Sequence, residues 1–110
     1  MSSLTESWLA SRRGVDPLQI ERLRRAGELI AVRPANASEW RYPSWQFDAS
    51  GQTKPGVVQF LAAARDAGFR GDELRRLLDR RVGLVDGTTV LDLLRSGRED
   101  RALASVRALG

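Results

Sequence analysis

Three side chains near the start of the chain, Gln19, Arg22 and Arg25, have types and a spacing suited to contacting a nucleic acid. Guanidinium groups bind phosphate or the edge of guanine through two parallel hydrogen bonds, and glutamine pairs in the same way with adenine. Because the three positions lie three residues apart, they fall on one side of a helix. We therefore predict that this side contacts DNA. The alternative is an ordinary amphipathic helix whose solvent face is rich in arginine.

Arginine is also abundant elsewhere in the chain. Of the 18 basic residues all but Lys54 are Arg, and the net charge is +4. This balance permits binding to a polyanion, although a GC-rich genome that encodes Arg in place of Lys would give the same composition. The residues predicted to contact DNA are Arg12, Arg13, Gln19, Arg22, Arg25, Arg33 and Arg41.

The chain contains no Cys and no His. The absence of Cys removes disulfides, thiolate nucleophiles and zinc–thiolate sites. The absence of His removes the commonest general base and a common metal ligand. The 14 acidic residues are spread among the 18 basic ones, a pattern more typical of a solvated surface than of a carboxylate active site. We therefore expect no enzymatic activity, no metal ion and no other cofactor.

The length of 110 residues suits one compact domain or two very small ones that share a core. With 42% hydrophobic and 29% charged residues, the composition is that of a globular protein. No apolar run approaches the ~20 residues needed to cross a bilayer. The first residues lack the basic and apolar segments of a signal peptide. We therefore expect a cytoplasmic protein with no membrane partner.

The first half of the chain shows the order helix, short turn, helix. Ser3 and Glu6 fit a capping box at the start of the first helix, which is predicted to run to about Arg13. The second helix has Asp16 as its N-cap and ends at Gly27. The apolar residues of this second helix, which are expected to face a core, are Leu18, Ile20, Leu23 and Ala26.

A β-hairpin is predicted to follow the two helices. Its strands are residues 29–32 and 40–42, and residues 48–55 read as a polar linker. The order helix, turn, helix and hairpin is that of a winged helix-turn-helix, in which the second helix enters the major groove and the hairpin contacts the backbone or the minor groove. Arg33 and Arg41 flank the predicted hairpin and are expected to contact phosphate.

The segment from Arg22 to Arg33 joins helix to strand through Ala-Gly-x-Leu, and Arg41-Tyr42-Pro43 follows it. On these residues, the N-terminal ~48 residues resemble the winged helix-turn-helix of the MerR and excisionase type. The resemblance implies that the second helix and the wing contact DNA. The residues that match the contacting positions are Gln19, Arg22, Arg25, Arg33 and Arg41.

Four aromatic residues, Trp40, Tyr42, Trp45 and Phe47, lie close together in the sequence. Aromatic side chains interleaved with basic ones can stack on the bases of a nucleic acid. More often such a cluster fills the core or a seam between small subdomains, because each aromatic ring buries a large apolar area. We expect these four residues to pack in the core.

Four helices are predicted in the second half, beginning near Pro55, Asp72, Thr89 and Arg98. Thr89 and Asp92 fit a further capping box. Apolar side chains of the last two helices are predicted to bind a partner protein or a second copy of the chain. The alternative is that the chain buries them in its own core. These residues are Leu91, Leu94, Leu103, Val106 and Leu109.

The segments 42–48 and 84–97 contain a Tyr-Pro-Ser-Trp run and a Gly-x-x-x-Leu-x-Leu-Leu-x-x-Gly pattern that precedes the terminal helix. On the basis of these two segments, the last ~60 residues are similar to the toxin-binding domain of Xre/MbcA/ParS-type antitoxins. The resemblance implies a helical fold and a toxin protein as partner.

We therefore expect a mainly α fold, with a winged helix-turn-helix and a small β-hairpin in residues 1–48. Residues 49–110 should form a C-terminal helical bundle that binds a partner or mediates dimerisation. The leading interpretation is a regulator of transcription that binds double-stranded DNA as a homodimer and, from the second resemblance, is the antitoxin of a toxin–antitoxin pair. The competing interpretation is an interaction module that neutralises a partner protein without binding DNA.

Overall fold

The computed structural model describes residues 3–82 and 87–109 and confirms a mainly α protein with a small antiparallel sheet. The chain divides into two compact units, Met1–Lys54 and Pro55–Gly110. The boundary lies beyond the predicted one at residue 48. The reason is that the predicted linker folds back on the first unit: the Lys54 N–H donates to the Gln46 carbonyl at 2.9 Å, and Phe47 and Thr53 form an antiparallel bridge.

Helix α1 covers Glu6–Arg13 and begins one residue after its N-cap, Thr5. The Thr5 hydroxyl accepts a hydrogen bond from the Trp8 N–H at 3.1 Å. The prediction that Ser3 caps this helix is wrong. Ser3 and Leu4 instead form strand β1 (Ser3–Leu4), a long-range pairing that local capping rules do not reveal.

Helix α2 covers Pro17–Arg25 and has the predicted ends. The Asp16 carboxylate caps it by accepting a hydrogen bond from the Leu18 N–H at 2.9 Å, and proline occupies the first helical position. Gly27 follows the helix with a φ of 76°, the left-handed conformation that glycine adopts most readily. The predicted N-cap Asp16 is therefore confirmed, whereas the C-cap is Ala26 and Gly27 is the residue after it.

The two-stranded sheet differs from the predicted hairpin. Strand β2 (Tyr42–Pro43) pairs antiparallel with β1, so that Tyr42 lies opposite Leu4. Within the described residues, the predicted strands 29–32 and 40–42 meet at a single bridge between Val32 and Arg41, with N–O distances of 2.8 and 2.7 Å. The predicted wing is therefore reduced to one bridge, because Tyr42 pairs with the N-terminal segment instead.

A side chain takes the place of the missing strand pairing at Ile30. The amide of Gln46, which is 0% exposed, accepts from the Ile30 N–H at 2.9 Å and donates to the Ile30 carbonyl at 2.7 Å. It also donates to the Pro43 carbonyl at 3.1 Å. Gln46 therefore satisfies the buried backbone groups that a neighbouring strand would otherwise pair.

The core of the N-terminal unit lies between α1, α2 and the segments that follow them. Its buried residues are Leu9, Ala10, Ile20, Leu29, Tyr42 and Phe47. Trp40 packs against this core, and Trp45 is half-buried. The aromatic cluster thus contributes to packing, as expected.

Four helices form the described part of the C-terminal unit: α3 (Pro55–Asp66), α4 (Asp72–Leu78), α5 (Val90–Arg95) and α6 (Glu99–Leu109). Helix α6 packs against α3 and α5, and α4 packs against α5. The capping box at α5 is confirmed, with Asp92 N–H to Thr89 Oγ1 at 3.1 Å and Thr89 N–H to Asp92 Oδ2 at 2.9 Å.

Helices α3 and α6 approach each other closely at Gly56. A Cβ atom at this position would lie 2.6 Å from the Cβ of Glu99, so a larger residue would push the helices apart. In the part of the chain that the structure describes, no helix is both long and apolar enough to span a bilayer.

Candidate nucleic-acid interface

The outer side of α2 carries the predicted base-contacting residues. Ile20 is 0% exposed and anchors the inner side of the helix. At 3.6 residues per turn, Arg22 and Arg25 lie on the opposite side and Gln19 lies on the flank. All three are exposed. The structure therefore brings these residues together on one solvent-facing surface.

Leu18 and Ala26 do not face the core, contrary to prediction. Leu18 is 57% exposed and Ala26 is also exposed. Leu18 precedes Ile20 by two residues and is therefore turned about 160° away from it around the helix. It lies on the same side as Arg22 and Arg25, because the spacing between the three positions is that of one helix face. We call Leu18, Arg22 and Arg25 the outer stripe of α2.

The two guanidinium groups of the outer stripe are available to an anionic ligand. Arg25 lies 2.9 Å from a Glu21 carboxylate oxygen, yet its side chain is 73% exposed. Among the described residues, no acidic side chain lies within ion-pair distance of Arg22. A surface ion pair contributes at most about 1 kcal/mol, so Arg25 can exchange Glu21 for phosphate or a base edge.

Arg24 lies on the inner side of α2 and holds the helix in place. Its guanidinium carbon lies 4.3 Å from the centroid of the Trp40 ring, and its side chain is 15% exposed. Its Nε lies 3.6 Å from Glu6 and its Nη2 lies 3.7 Å from Glu21. Sequence reasoning missed this residue. The available signal was its position four residues after Ile20, which places it on the inner side of the helix.

Tyr42 belongs to the same group of contacts on the inner side of α2. Its hydroxyl donates a hydrogen bond to Glu6 Oε1 at 2.7 Å. Burial and this hydrogen bond raise the pKa of Tyr42 well above its ordinary value, whereas Arg24 acts in the opposite direction. The cluster of Glu6, Arg24, Trp40 and Tyr42 therefore ties α1, α2 and β2 together.

Arg12 and Arg13, which were predicted to contact DNA, hold the loop that ends the N-terminal unit. Arg12 donates to the Ala49 carbonyl through Nη2 at 2.7 Å and Nε at 3.2 Å. Arg13 donates to the Gly51 carbonyl at 2.8 Å and to the Thr53 hydroxyl at 3.0 Å. Arg12 remains exposed, whereas Arg13 is half-buried.

Asp48 organises the same loop. Its carboxylate accepts hydrogen bonds from the Ser50 hydroxyl at 2.7 Å and from the N–H groups of Ser50 and Gln52. These hydrogen bonds, with a smaller contribution from Arg13, lower the pKa of Asp48. Burial lowers the pKa of Arg13, and Asp48 acts in the opposite direction. The loop is thus held by its own side chains and by the end of α1.

Arg33 and Arg41 lie at the base of the loop that joins the two bridged segments. Arg33 is exposed, and its guanidinium carbon lies 5.8 Å from the centroid of the Trp40 ring. Arg41 is half-buried. The bridge between Val32 and Arg41 fixes the backbone at both positions. The bridge therefore anchors Arg41 directly, and Arg33 follows the bridged Val32 in the chain.

The predicted partner-binding residues divide into buried and accessible ones. Leu94 and Val106 are 2% and 1% exposed and belong to the core of the C-terminal unit. Leu91 and Leu103 are half-buried, and the side chain of Leu109 lies outside the described residues, as do Leu84, Val85 and Asp86 of the predicted toxin-binding pattern. A partner could therefore contact Leu91 and Leu103 without opening the unit.

An open groove of about 490 Å³ runs between α3 and α6. Its lining residues are Gln59, Ala62, Ala63, Asp66, Ala67, Val106 and Arg107.

In the described part of the chain, no three acidic side chains come together in a way that could hold a metal ion.

Comparison with known proteins identifies a relative in fold. No protein-family model matches the chain, and no curated protein matches it. Among solved structures, the NMR structure of Rv2175c is similar to it, with a TM-score of 0.68, 22% sequence identity, and coverage of 98% of this chain and 80% of that chain. At this level of identity, the likeness concerns the fold.

Proposed function

We propose that this chain is a DNA-binding regulator of transcription that places the outer side of α2 in the major groove. The observation that carries the proposal is the exposed surface formed by Gln19, Arg22 and Arg25 opposite the buried Ile20. These side chains match the hydrogen-bonding edges of adenine and guanine in the major groove.

The dimensions of α2 suit this role. With its side chains an α-helix is about 10–12 Å across, and the nine residues of α2 give it about 14 Å of length. The major groove is about 12 Å wide and accepts one α-helix. Because Arg24 ties α2 to Trp40 and Glu6, the helix is held in place before DNA arrives. Little ordering free energy is then lost on binding.

The other residues predicted to contact DNA have different proposed roles. Arg33 and Arg41 contact phosphate from the base of the reduced wing, and the exposed Arg12 adds a further phosphate contact beside the turn. We assign Arg13 to the loop, because its guanidinium donates to Gly51 and Thr53 and, unlike that of Arg12, is half-buried.

In vitro selection tests the proposal. The full chain would be used to enrich random duplexes, and fluorescence anisotropy would compare the selected duplex with a scrambled duplex of equal composition. We expect the selected duplex to bind about 10³-fold or more tightly, the lower end of the range for specific regulators. No enrichment, or equal affinity for both duplexes at low salt, contradicts the proposal.

The open groove between α3 and α6 favours a second candidate function. Here the C-terminal unit binds and neutralises a partner protein, as the resemblance to toxin-binding domains implies. Leu91 and Leu103 are half-buried apolar contacts outside the lining of the groove. Co-expression with the product of each adjacent gene tests this function. A toxic product neutralised by the wild-type chain and not by Leu103→Glu supports it. Absence of any toxic neighbour contradicts it.

A further inference from the structure

We propose that Leu18 contacts the 5-methyl group of a thymine in the major groove, so that the outer stripe of α2 recognises thymine close to guanine. This inference rests on the proposed function, in which α2 enters the groove. It adds an apolar contact to the hydrogen-bonding contacts assigned to Gln19 and Arg22.

The exposure of Leu18 is the first observation. Single exposed apolar side chains are common and need no explanation by themselves. Leu18 differs because its side chain is 57% exposed, the largest exposed fraction among the large apolar residues of the described chain. Val15, three residues earlier and just before the cap, is also 41% exposed. Neither residue is required for the core of the unit.

The position of Leu18 is the second observation. It shares the outer stripe of α2 with Arg22 and Arg25, four and seven residues further on, and Gln19 lies beside it. A surface that presents an apolar group in line with guanidinium groups matches a ligand edge that combines a methyl group with hydrogen-bond acceptors. In the major groove, thymine presents a methyl group and guanine presents two acceptors.

The charges around Leu18 favour DNA over an apolar protein surface. The nearest carboxylate, Asp16, accepts the Leu18 N–H at the helix cap, and Glu21 lies beside Arg25. The outer stripe itself carries two arginines and no acidic residue. An apolar protein partner would have to bury these guanidinium groups, whereas duplex DNA surrounds them with phosphate.

The geometry also limits where the thymine lies. Leu18 and Arg22 are four residues apart, which separates them by about 6 Å along the helix axis. Successive base pairs are spaced by about 3.4 Å. We therefore expect the thymine within about two base pairs of the guanine that Arg22 contacts.

The proposal is tested by removing thymine methyl groups from the DNA and by truncating the Leu18 side chain in the protein. Each thymine of the selected duplex would be replaced, one at a time, by deoxyuracil, which lacks the methyl group and keeps the same hydrogen bonds. Affinity would be measured for the wild-type chain, for Leu18→Ala and for Val58→Ala, a control at an exposed apolar position in α3. Thermal unfolding would verify that all three proteins are folded.

One deoxyuracil position should weaken binding of the wild type and of Val58→Ala by about fourfold, the effect of one buried methyl group. The same replacement should leave the affinity of Leu18→Ala unchanged. Equal effects of deoxyuracil on wild type and Leu18→Ala, or a selected duplex without thymine near the guanine, would overturn the inference while leaving DNA binding intact. Failure to select any duplex would instead contradict the proposed function, and the inference with it.

Discussion

Arg22 and Arg24 lie two residues apart in α2 and have opposite surroundings. Arg24 is 15% exposed, lies over Trp40 and is close to two carboxylates, whereas Arg22 is exposed on the outer stripe. The helical period accounts for the difference, because Arg24 falls on the same side as Ile20 and Arg22 on the other. Arg24 therefore holds α2 in place, whereas Arg22 is exposed to solvent.

Substitution of Arg22 or Gln19 should relax sequence preference. We expect Arg22→Ala and Gln19→Ala each to weaken binding to the selected duplex by about 5- to 150-fold, equivalent to ~1–3 kcal/mol. Binding to the scrambled duplex should change less. Arg41→Ala should instead weaken binding to both duplexes alike, as expected for a phosphate contact.

Anisotropy titrations at one salt concentration measure these effects. Arg76→Ala, at an exposed position of α4, serves as the matched control and should leave both affinities unchanged. Equal losses for Arg22, Gln19 and Arg41 variants on every duplex would mean that another element reads the sequence.

The raised pKa of Tyr42 predicts a loss of stability at alkaline pH. The folded state favours the neutral phenol, so its contribution is complete below the unfolded pKa of about 10 and is lost as the pH rises from there towards the folded value. The chain has no Cys or His and one Lys, so few other groups titrate in this range. The free energy of unfolding should fall above about pH 10, and Tyr42→Phe should flatten this dependence.

Absorbance at the tyrosinate band follows this ionisation directly, because Tyr42 is the single tyrosine of the chain. Tyrosinate should appear together with the loss of helical circular dichroism. Ionisation at the ordinary pKa in a protein that keeps its full helical signal would show that the phenol is not protected.

At the scale of elements, local signals predicted the helices well and the strand pairing poorly. Asp16, Gly27 and the Thr89–Asp92 box mark helix ends through interactions within a few residues, which a sequence displays directly. The pairing of β1 with β2 and the insertion of Gln46 beside Ile30 depend on residues far apart in the chain. No local period encodes such contacts.

The candidate DNA-binding surface was also predicted only in part from the sequence. The outward positions of Gln19, Arg22 and Arg25 follow from helical periodicity and were predicted. The exposure of Leu18 was missed because its apolar side chain was assigned to the core by type. The burial of Arg24 was missed because its charge suggested solvent, although its position on the helix matched that of Ile20.

The role of Gln46 leads to a stability prediction. Replacement by Leu removes three hydrogen bonds and leaves the buried N–H and C=O of Ile30 without partners. Each unsatisfied buried group costs about 1–3 kcal/mol, so Gln46→Leu should destabilise the N-terminal unit by at least ~2 kcal/mol. Urea unfolding measures the change.

Gln52→Leu is the control for this experiment, because the Gln52 side chain is exposed in the same unit and should change the free energy of unfolding little. If Gln46→Leu unfolded at the same urea concentration as the wild type, the side-chain pairing with Ile30 would contribute nothing to stability.

At the scale of the whole molecule, one helix offers few base contacts, and regulators of this size normally bind two half-sites as dimers. We expect the chain to dimerise through the accessible surface of α6, where Leu103 is half-buried. Leu103→Glu should shift the protein to monomer, and Val58→Glu, on the exposed side of α3, should not. Analytical ultracentrifugation up to about 100 μM measures this equilibrium. A wild-type monomer over the whole range would contradict a preformed dimer.

The proposed binding of duplex DNA through the N-terminal unit is tested most directly by the salt dependence of binding. If about five phosphates are neutralised, the logarithm of the binding constant should fall against the logarithm of salt concentration with a slope near −4 to −5. Arg33→Ala combined with Arg41→Ala should make this slope less steep by about 2. Arg75→Ala combined with Arg76→Ala, two exposed arginines of α4, should leave it unchanged. Absence of duplex binding at low salt, or a slope that responds to the α4 pair and not to Arg33 and Arg41, would contradict the account.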